Sequence, residues 1–157
     1  MRMQLWVVGK TTQGFVEQGF SEFYERIKHY LSFEVQVIPD IKNTKNLTPE
    51  QVKEKEGEWI LKKIQTGDHI VLLDEFGRSF NSVQFSEYLE RKFLTVPKSL
   101  VFIIGGPYGF SIEVYKAAQE KISLSKMTFS HQLVRLIFAE QLYRALTILN
   151  HLPYHHE

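Results

Sequence analysis

Hydrophobic positions along this chain recur with two alternating periods, and the alternation predicts the order of its elements. The opening MQLWVVG is a short apolar run rich in β-formers and reads as a strand. From Phe15 to Leu31 the apolar residues Val16, Phe20, Phe23, Ile27 and Leu31 return every three or four positions, the spacing of one helix face. FEVQVIP then alternates in period two through Phe33, Val35 and Val37 and stops at Pro39. A strand with one wetter face belongs near a sheet edge. After the polar loop NTKN, a second helix begins at LTPEQ. Thr48 is placed to cap it, Pro49 takes the first helical position, and Gln51 completes a capping box. Val52, Trp59, Ile60 and Ile64 form its buried face, and TGD ends it.

HIVLL and SLVFII are continuous apolar strands, as expected for strands covered on both faces of a parallel sheet. Between them lie a loop, DEFGRSFNS, and a helix through VQFSEYLERKFL. Beyond SLVFII come the GGPYG loop, a helix from about Ser111 to Lys121, the segment ISLSKMTFS, and a long last helix from Ser130 to about Asn150. The core face of that helix is Val134, Ile137, Phe138, Leu142, Ala145 and Leu149. Strands separated by helices predict an α/β fold with a mainly parallel sheet flanked by helices. No repeat, low-complexity tract or linker interrupts residues 1–157, so a single domain is expected. In such sheets ligands sit beyond the carboxyl ends of the strands. That rule singles out the loops after HIVLL and SLVFII, and the segment SLSKMTFS.

Composition narrows the classes. At 157 residues, 43% hydrophobic and 24% charged, the chain matches one globular domain with a sizeable core. No apolar run reaches the roughly 18 residues of a membrane span, and the amino terminus lacks a signal-peptide pattern. There are no cysteines, which excludes disulfides, thiolate metal sites and cysteine nucleophiles and fits a cytoplasmic protein. Net charge is +1, but its distribution is uneven. Residues 1–90 balance at −3, whereas residues 91–157 balance at +4 and hold four of the six histidines. A polyanion would prefer the later part; an uneven solvated surface gives the same count.

Several stretches are candidates for chemistry. VVGKTT, Val7 to Thr12, imitates the end of a phosphate-binding loop, but the glycine required five positions before Gly9 is Gln4. Nucleoside triphosphate binding is therefore rejected. IIGGPYGF has the spacing G-G-x-x-G, and no acidic residue follows at the distance a dinucleotide fold needs. Gly105 and Gly106 fit a tight strand-to-helix turn, and equally a backbone wall against a flat ligand; on the loop alone the turn is favoured. SLSKMTFS mixes apolar and small hydroxyl residues and leads into the last helix, which Ser130 can cap. Leu124, Met127 and Phe129 can be core, and Ser125 and Thr128 turn residues; lying beside the glycine loop, the same segment could read a purine edge through its backbone. Asp74 and Glu75 end a buried strand and could serve in acid/base work or in a surface salt bridge. In the closing PYHHE, an aromatic and two imidazoles can stack on a base and pair with phosphate. No third ligand stands at helical spacing to make a histidine metal site, so no metal is expected.

Taken together, LLDEFGRSFNS, FIIGGPYGFS, SLSKMTFSHQLVRLIFAEQLYRALTI and PYHHE resemble, in order and spacing, the SPOUT-class family of bacterial large-subunit ribosomal RNA methyltransferases that modify pseudouridine at N3. The resemblance covers essentially the whole chain. It implies a SPOUT α/β-knot fold with a C-terminal trefoil knot and S-adenosylmethionine as methyl donor. By position, it implies donor contacts at Leu73, Gly105, Leu124, Ser125, Lys126, Met127, Thr128 and Phe129. It implies a homodimer with a composite active site, acting in the cytoplasm on the assembled ribosome. The family commonly ends in Tyr-His-Arg, whereas this chain carries His156 at the last of the three positions.

On that reading His155, Tyr154 and Arg135 are expected at the target base, with His155 the first candidate to take up the imide proton. Phe138, Gln141, Leu142 and Tyr143 cover more than one helical stripe, so the last helix is either a dimer face or buried on two sides within one subunit. Modest net charge favours recognition of a whole ribosome over naked RNA. A SPOUT methyltransferase acting on transfer RNA is the alternative; a non-catalytic RNA-binding module and a small-molecule α/β enzyme stand further off.

Overall fold

The computed structural model describes residues 1–156; Glu157 lies outside the described residues. Five strands, β1 (Arg2–Val8), β2 (Phe33–Ile38), β3 (Asp68–Ser79), β4 (Ser99–Ile104) and β5 (Glu120–Ser123), form one sheet in the order β2-β1-β4-β3-β5. Every ladder is parallel. On one face lie α1 (Gly14–Ile27), α3 (Ser82–Thr95) and α5 (Leu133–Leu149); on the other lie α2 (Pro49–Lys63) and α4 (Ile112–Ala117).

Two-sided burial explains the continuous apolar strands. Along β1, Met3, Leu5 and Val7 enter the core under α1 and α5, while Trp6 and Val8 enter the core under α2 and α4. β4 divides likewise into Leu100, Phe102 and Ile104 against Val101 and Ile103. β2 is an edge strand with Val37 48% exposed, as its alternation predicted. Thr48 caps α2 in a capping box with Gln51, and Pro49 opens the helix. A second capping box, Asn81 with Gln84, starts α3.

The structure differs from the sequence reading at three places. Residues 74–79 were expected in a loop, yet β3 runs to Ser79. Leu73 and Arg78 both pair with Ile122, so residues 74–77 leave the ladder and the chain then rejoins β5. Gly77 permits that return, since a Cβ there would lie 2.6 Å from the Ile122 backbone. The helix expected to reach Lys121 ends at Ala117, and Glu120–Ser123 is a strand whose short length and single aliphatic residue hide it. Finally, α5 begins at Leu133, after a turn in which the Ser130 hydroxyl accepts from the Leu133 N–H at 3.0 Å.

The breadth of apolar positions on α5 is used within the chain. Phe138 and Leu142 are fully buried, with Phe138 5.0 Å from the Phe102 ring. Gln141 accepts from Ser82 at 2.7 Å, and Tyr143 packs against Phe23 and Tyr30. These four residues therefore require no second copy of the chain; α5 is buried on two sides, between α1 and α3.

Candidate functional site

The carboxyl ends of β3 and β4, the segment after β5 and the start of α5 converge on a cavity of about 280 Å³. Leu73 and Ile104 form its floor at the ends of their regular ladders. Gly105, Gly106 and Gly109 present main chain to it. That turn is closed by the Gly109 N–H donating to the Gly106 carbonyl at 3.1 Å, and Gly109 takes a φ of +84°, which favours glycine. A Cβ at Gly105 would press to 3.1 Å from the Phe110 ring.

Leu124, Ser125, Met127, Thr128 and Phe129 line the opposite side. Their segment is organised by its own hydroxyls. Ser123 donates to the Ser125 carbonyl at 2.7 Å, and the Ser125 hydroxyl accepts from the Met127 N–H at 2.9 Å. Thr128 donates to Glu75 at 2.8 Å, tying this segment to the β3 excursion. Tyr115 on α4 donates to Asp74, whose other oxygen accepts from the Phe76 N–H at 2.8 Å. Burial and the bond to Asp74 push the Tyr115 hydroxyl well above its ordinary value. Both carboxylates that could have served in acid/base work thus fasten loops. Lys126, expected among the donor contacts, is solvent-exposed and does not line the cavity.

Arg135 is a correction to the sequence reading. It is 1% exposed, and its guanidinium donates to the carbonyls of Val8 at 2.7 Å and Gly9 at 2.9 Å and to the Thr11 hydroxyl at 3.1 Å. Its Nε donates to the His131 carbonyl. A guanidinium buried in this way locks the end of β1 onto α5: four of its five N–H groups are bonded within the chain, and burial closes the side chain off from an incoming base. Its neighbour His131, which the sequence reading left as a helix-start residue, lines the cavity. Burial, reinforced by the charge of Arg135 and opposed by Asp40, holds its imidazole below the ordinary value, so it is neutral at pH 7.

The tail forms a second cluster. Tyr154 stacks edge-on against Tyr143 at 4.8 Å under the Arg144 guanidinium, and its hydroxyl donates to Glu140 at 3.1 Å. Burial and Glu140 raise the Tyr154 pKa. Arg144 bridges Glu140, at 2.5 Å, and His155 Nδ1, at 3.2 Å. His156 is exposed. None of the tail residues lines the cavity. Val134 does, and at about 1.5 Å of rise per residue Arg144 lies roughly 15 Å further along α5. The chain therefore holds the expected site residues in two separate clusters. The Glu140–Arg144 pair went unremarked in the sequence, although its i,i+4 spacing is the signal that could have found it. Among the described residues there is no group of three or more His, Asp and Glu placed to hold a metal ion, and no helix is long and apolar enough to cross a membrane.

Residues 1–155 match the family described as "Predicted SPOUT methyltransferase". The fold is shared with a Legionella pneumophila methyltransferase solved with its cofactor S-adenosylmethionine, at a TM-score of 0.50 and 10% identity, covering 92% of this chain and 66% of that one. A methylase family protein of Haemophilus influenzae gives a TM-score of 0.51 at 9% identity, covering 99% and 70%. Within that class, the chain belongs to the ribosomal RNA large subunit methyltransferase H family. Proteins of that name from Parabacteroides distasonis and Phocaeicola vulgatus are 64% and 62% identical to it, each over the whole of both chains.

Proposed function

We propose that this protein methylates N3 of a pseudouridine in large-subunit ribosomal RNA on the assembled ribosome, as a homodimer in the cytoplasm. The carrying observation is the backbone-walled cavity at the carboxyl edge, in a chain that aligns end to end with large-subunit ribosomal RNA methyltransferases. The methyl donor is S-adenosylmethionine, whose sulfonium supplies an already activated methyl group. The residues present fit it: apolar Leu73, Leu124 and Phe129 suit a purine, and Gly105, Gly106 and Gly109 leave main chain at the wall. Gly105 and the segment from Ser125 to Phe129 hold and orient the donor, and Lys126 adds no side chain to that wall. Such positioning is the greater part of what an in-line transfer needs from the protein.

The separation of the two clusters supports the dimer. The cavity rim exposes Phe76, Tyr108 and Met127, at 79%, 54% and 76%, an apolar border suited to a second copy whose tail completes the site. Tyr154 supplies a stacking surface for the base. With Nδ1 of His155 accepting from Arg144, its Nε2 carries the hydrogen, which suits it to bind the oxygen of an imide anion as the N3 proton passes to solvent water. In this arrangement His155 stabilises the anion instead of taking up the proton.

The test is to incubate the protein and labelled S-adenosylmethionine with ribosomes lacking the modification, with transfer RNA and with short protein-free RNA, and to map the methylated base. N3-methylpseudouridine on ribosomes alone is expected. Labelling of transfer RNA would move the reading to the alternative substrate. Equal labelling of short RNA would remove the argument from a net charge of only +1.

A further inference from the structure

The glycine turn has a second wall behind it. Glu56 on α2 is 4% exposed, and its Oε1 has no hydrogen-bond partner. A Cβ built on Gly106 would lie 2.9 Å from Oε1 and closer still to Oε2. The carboxyl group thus fills the volume that any side chain at position 106 would need. The gap it borders, shared with Lys53, Gly105 and Ser111, leaves no room for a water molecule. The other side of the same turn lines the methyl-donor cavity. Carboxyl group and cofactor therefore press on opposite sides of one short loop.

The groups facing Glu56 do not compensate a charge. Lys53, on the same helix, is engaged with Glu50 at 2.8 Å. Asp40, following β2, adds a like charge; His131, in the turn before α5, and Arg135 on α5 also sense Asp40. From α4, Ser111 spends its hydroxyl as acceptor for the Val114 N–H at 3.3 Å. Among the described residues no cation lies within 4 Å of Glu56. Burial first, and Asp40 second, push its carboxyl up to about 7.

We propose that Glu56 is a positioning residue for methyl transfer: its uncharged carboxyl fills the space behind Gly106 and fixes the cofactor turn, and a charge placed there displaces that turn. An ionised carboxylate whose Oε1 has neither donor nor room for water beside it must be resolvated, and the adjoining glycine backbone is the softest wall of its enclosure. Cofactor binding needs the turn in place, so it favours the protonated form and raises the Glu56 pKa further. By linkage, affinity for the cofactor then falls as pH rises through neutrality. This inference rests on the assignment of the cavity to S-adenosylmethionine.

The experiment is calorimetric titration of S-adenosylmethionine into the wild-type, E56Q and E56A proteins at about pH 6 and about pH 8.5. The cofactor's own amino group titrates equally in all three and cancels in their ratios. E56Q should match wild type within about twofold at the lower pH and bind at least about fivefold more tightly at the higher, since each unit of pKa coupling is tenfold in affinity. E56A, lacking the filling group, should bind more weakly at both. A folded E56Q that is weak at the lower pH, or whose ratio to wild type is the same at both, overturns the proposal. Should E56Q fail to fold, a carbon-13 carboxyl titration of wild type decides: the Glu56 midpoint must rise when cofactor is added, and an unmoved midpoint overturns it. Gly105→Val run alongside separates the two ideas, because undiminished binding there removes the cavity assignment whatever Glu56 does.

Discussion

The two edges of the one sheet are built on opposite terms. At the amino edge, Glu120 at the start of β5 accepts from Lys92 at the end of α3 and lies 2.6 Å from His69 Nε2 at the start of β3. Burial pulls the Glu120 carboxyl up, but the hydrogen bonds and charges of Lys92 and His69 outweigh it and hold it below the ordinary carboxylate value. At the carboxyl edge, Glu56 has neither cation nor donor, the chain turns on glycines, and hydroxyls hold the loops in place of a ladder. The first arrangement joins three elements and does little else. The second lifts a carboxyl to about 7 and keeps a cavity open, and its local rules are broken around that cavity. A sheet of this kind divides its labour by edge.

That contrast can be broken or sharpened by substitution. Removing residues 153–157 should cut methylation on ribosomes by about a thousandfold or more while leaving donor affinity within about twofold, the split expected when groups act on the substrate alone. A methylation rate that survives the truncation would take the tail out of the carboxyl-edge site. Arg135→Met leaves the carbonyls of Val8 and Gly9 without their donor and should cost about 3 kcal/mol in chemical denaturation; a loss under about 1 kcal/mol would mean the β1 end is held otherwise. Gly105→Val should weaken S-adenosylmethionine by at least about a hundredfold by calorimetry, with overpacking of about 1–3 kcal/mol against Phe110.

Smaller effects belong to the amino edge. Glu120→Gln should cost about 1 kcal/mol at neutral pH, because the group is partly exposed, and should not change donor affinity. The folded value of Glu120 lies below its unfolded one, so its stabilisation is present above the ordinary carboxylate range and is lost as pH falls through the folded value. Denaturation curves of wild type and variant should therefore converge in acid. Smallest of all is Lys126→Ala, for which donor affinity should stay within about twofold, since that side chain does not reach the cavity. A larger loss would restore Lys126 to the wall.

Elements with strong local signals were readable in the chain. The capping box Thr48–Gln51, the alternation in β2 and the apolar runs of β1 and β4 each declare their element within a few residues. The regions flanking the cavity were less legible. Asp74 to Gly77 are poor strand formers, and only the close approach of Gly77 to Ile122 lets β3 return to the ladder. β5 has four residues and offers no period to read. Arg135 is expected at the target base because nothing local reveals the Val8 and Gly9 carbonyls, which lie more than 120 positions away. Glu56 sits in a helix that reads as charged, E-K-E-G-E, and its burial depends on the turn fifty residues further on.

By itself the sequence determined the α/β order as far as β4, the parallel sheet with apolar strands in its middle, and the carboxyl-edge loops as the place where a cavity forms. Period, capping and chain reversal are local properties, fixed by side chains a few positions apart. Tertiary structure alone decided which polar groups meet: Arg135 with the end of β1, Glu56 with the back of the glycine turn, the tail with Glu140 and Arg144 and away from its own cavity. Burial, and with it the charge state of a carboxyl or the partners of a guanidinium, is set by atoms brought together from distant parts of the chain.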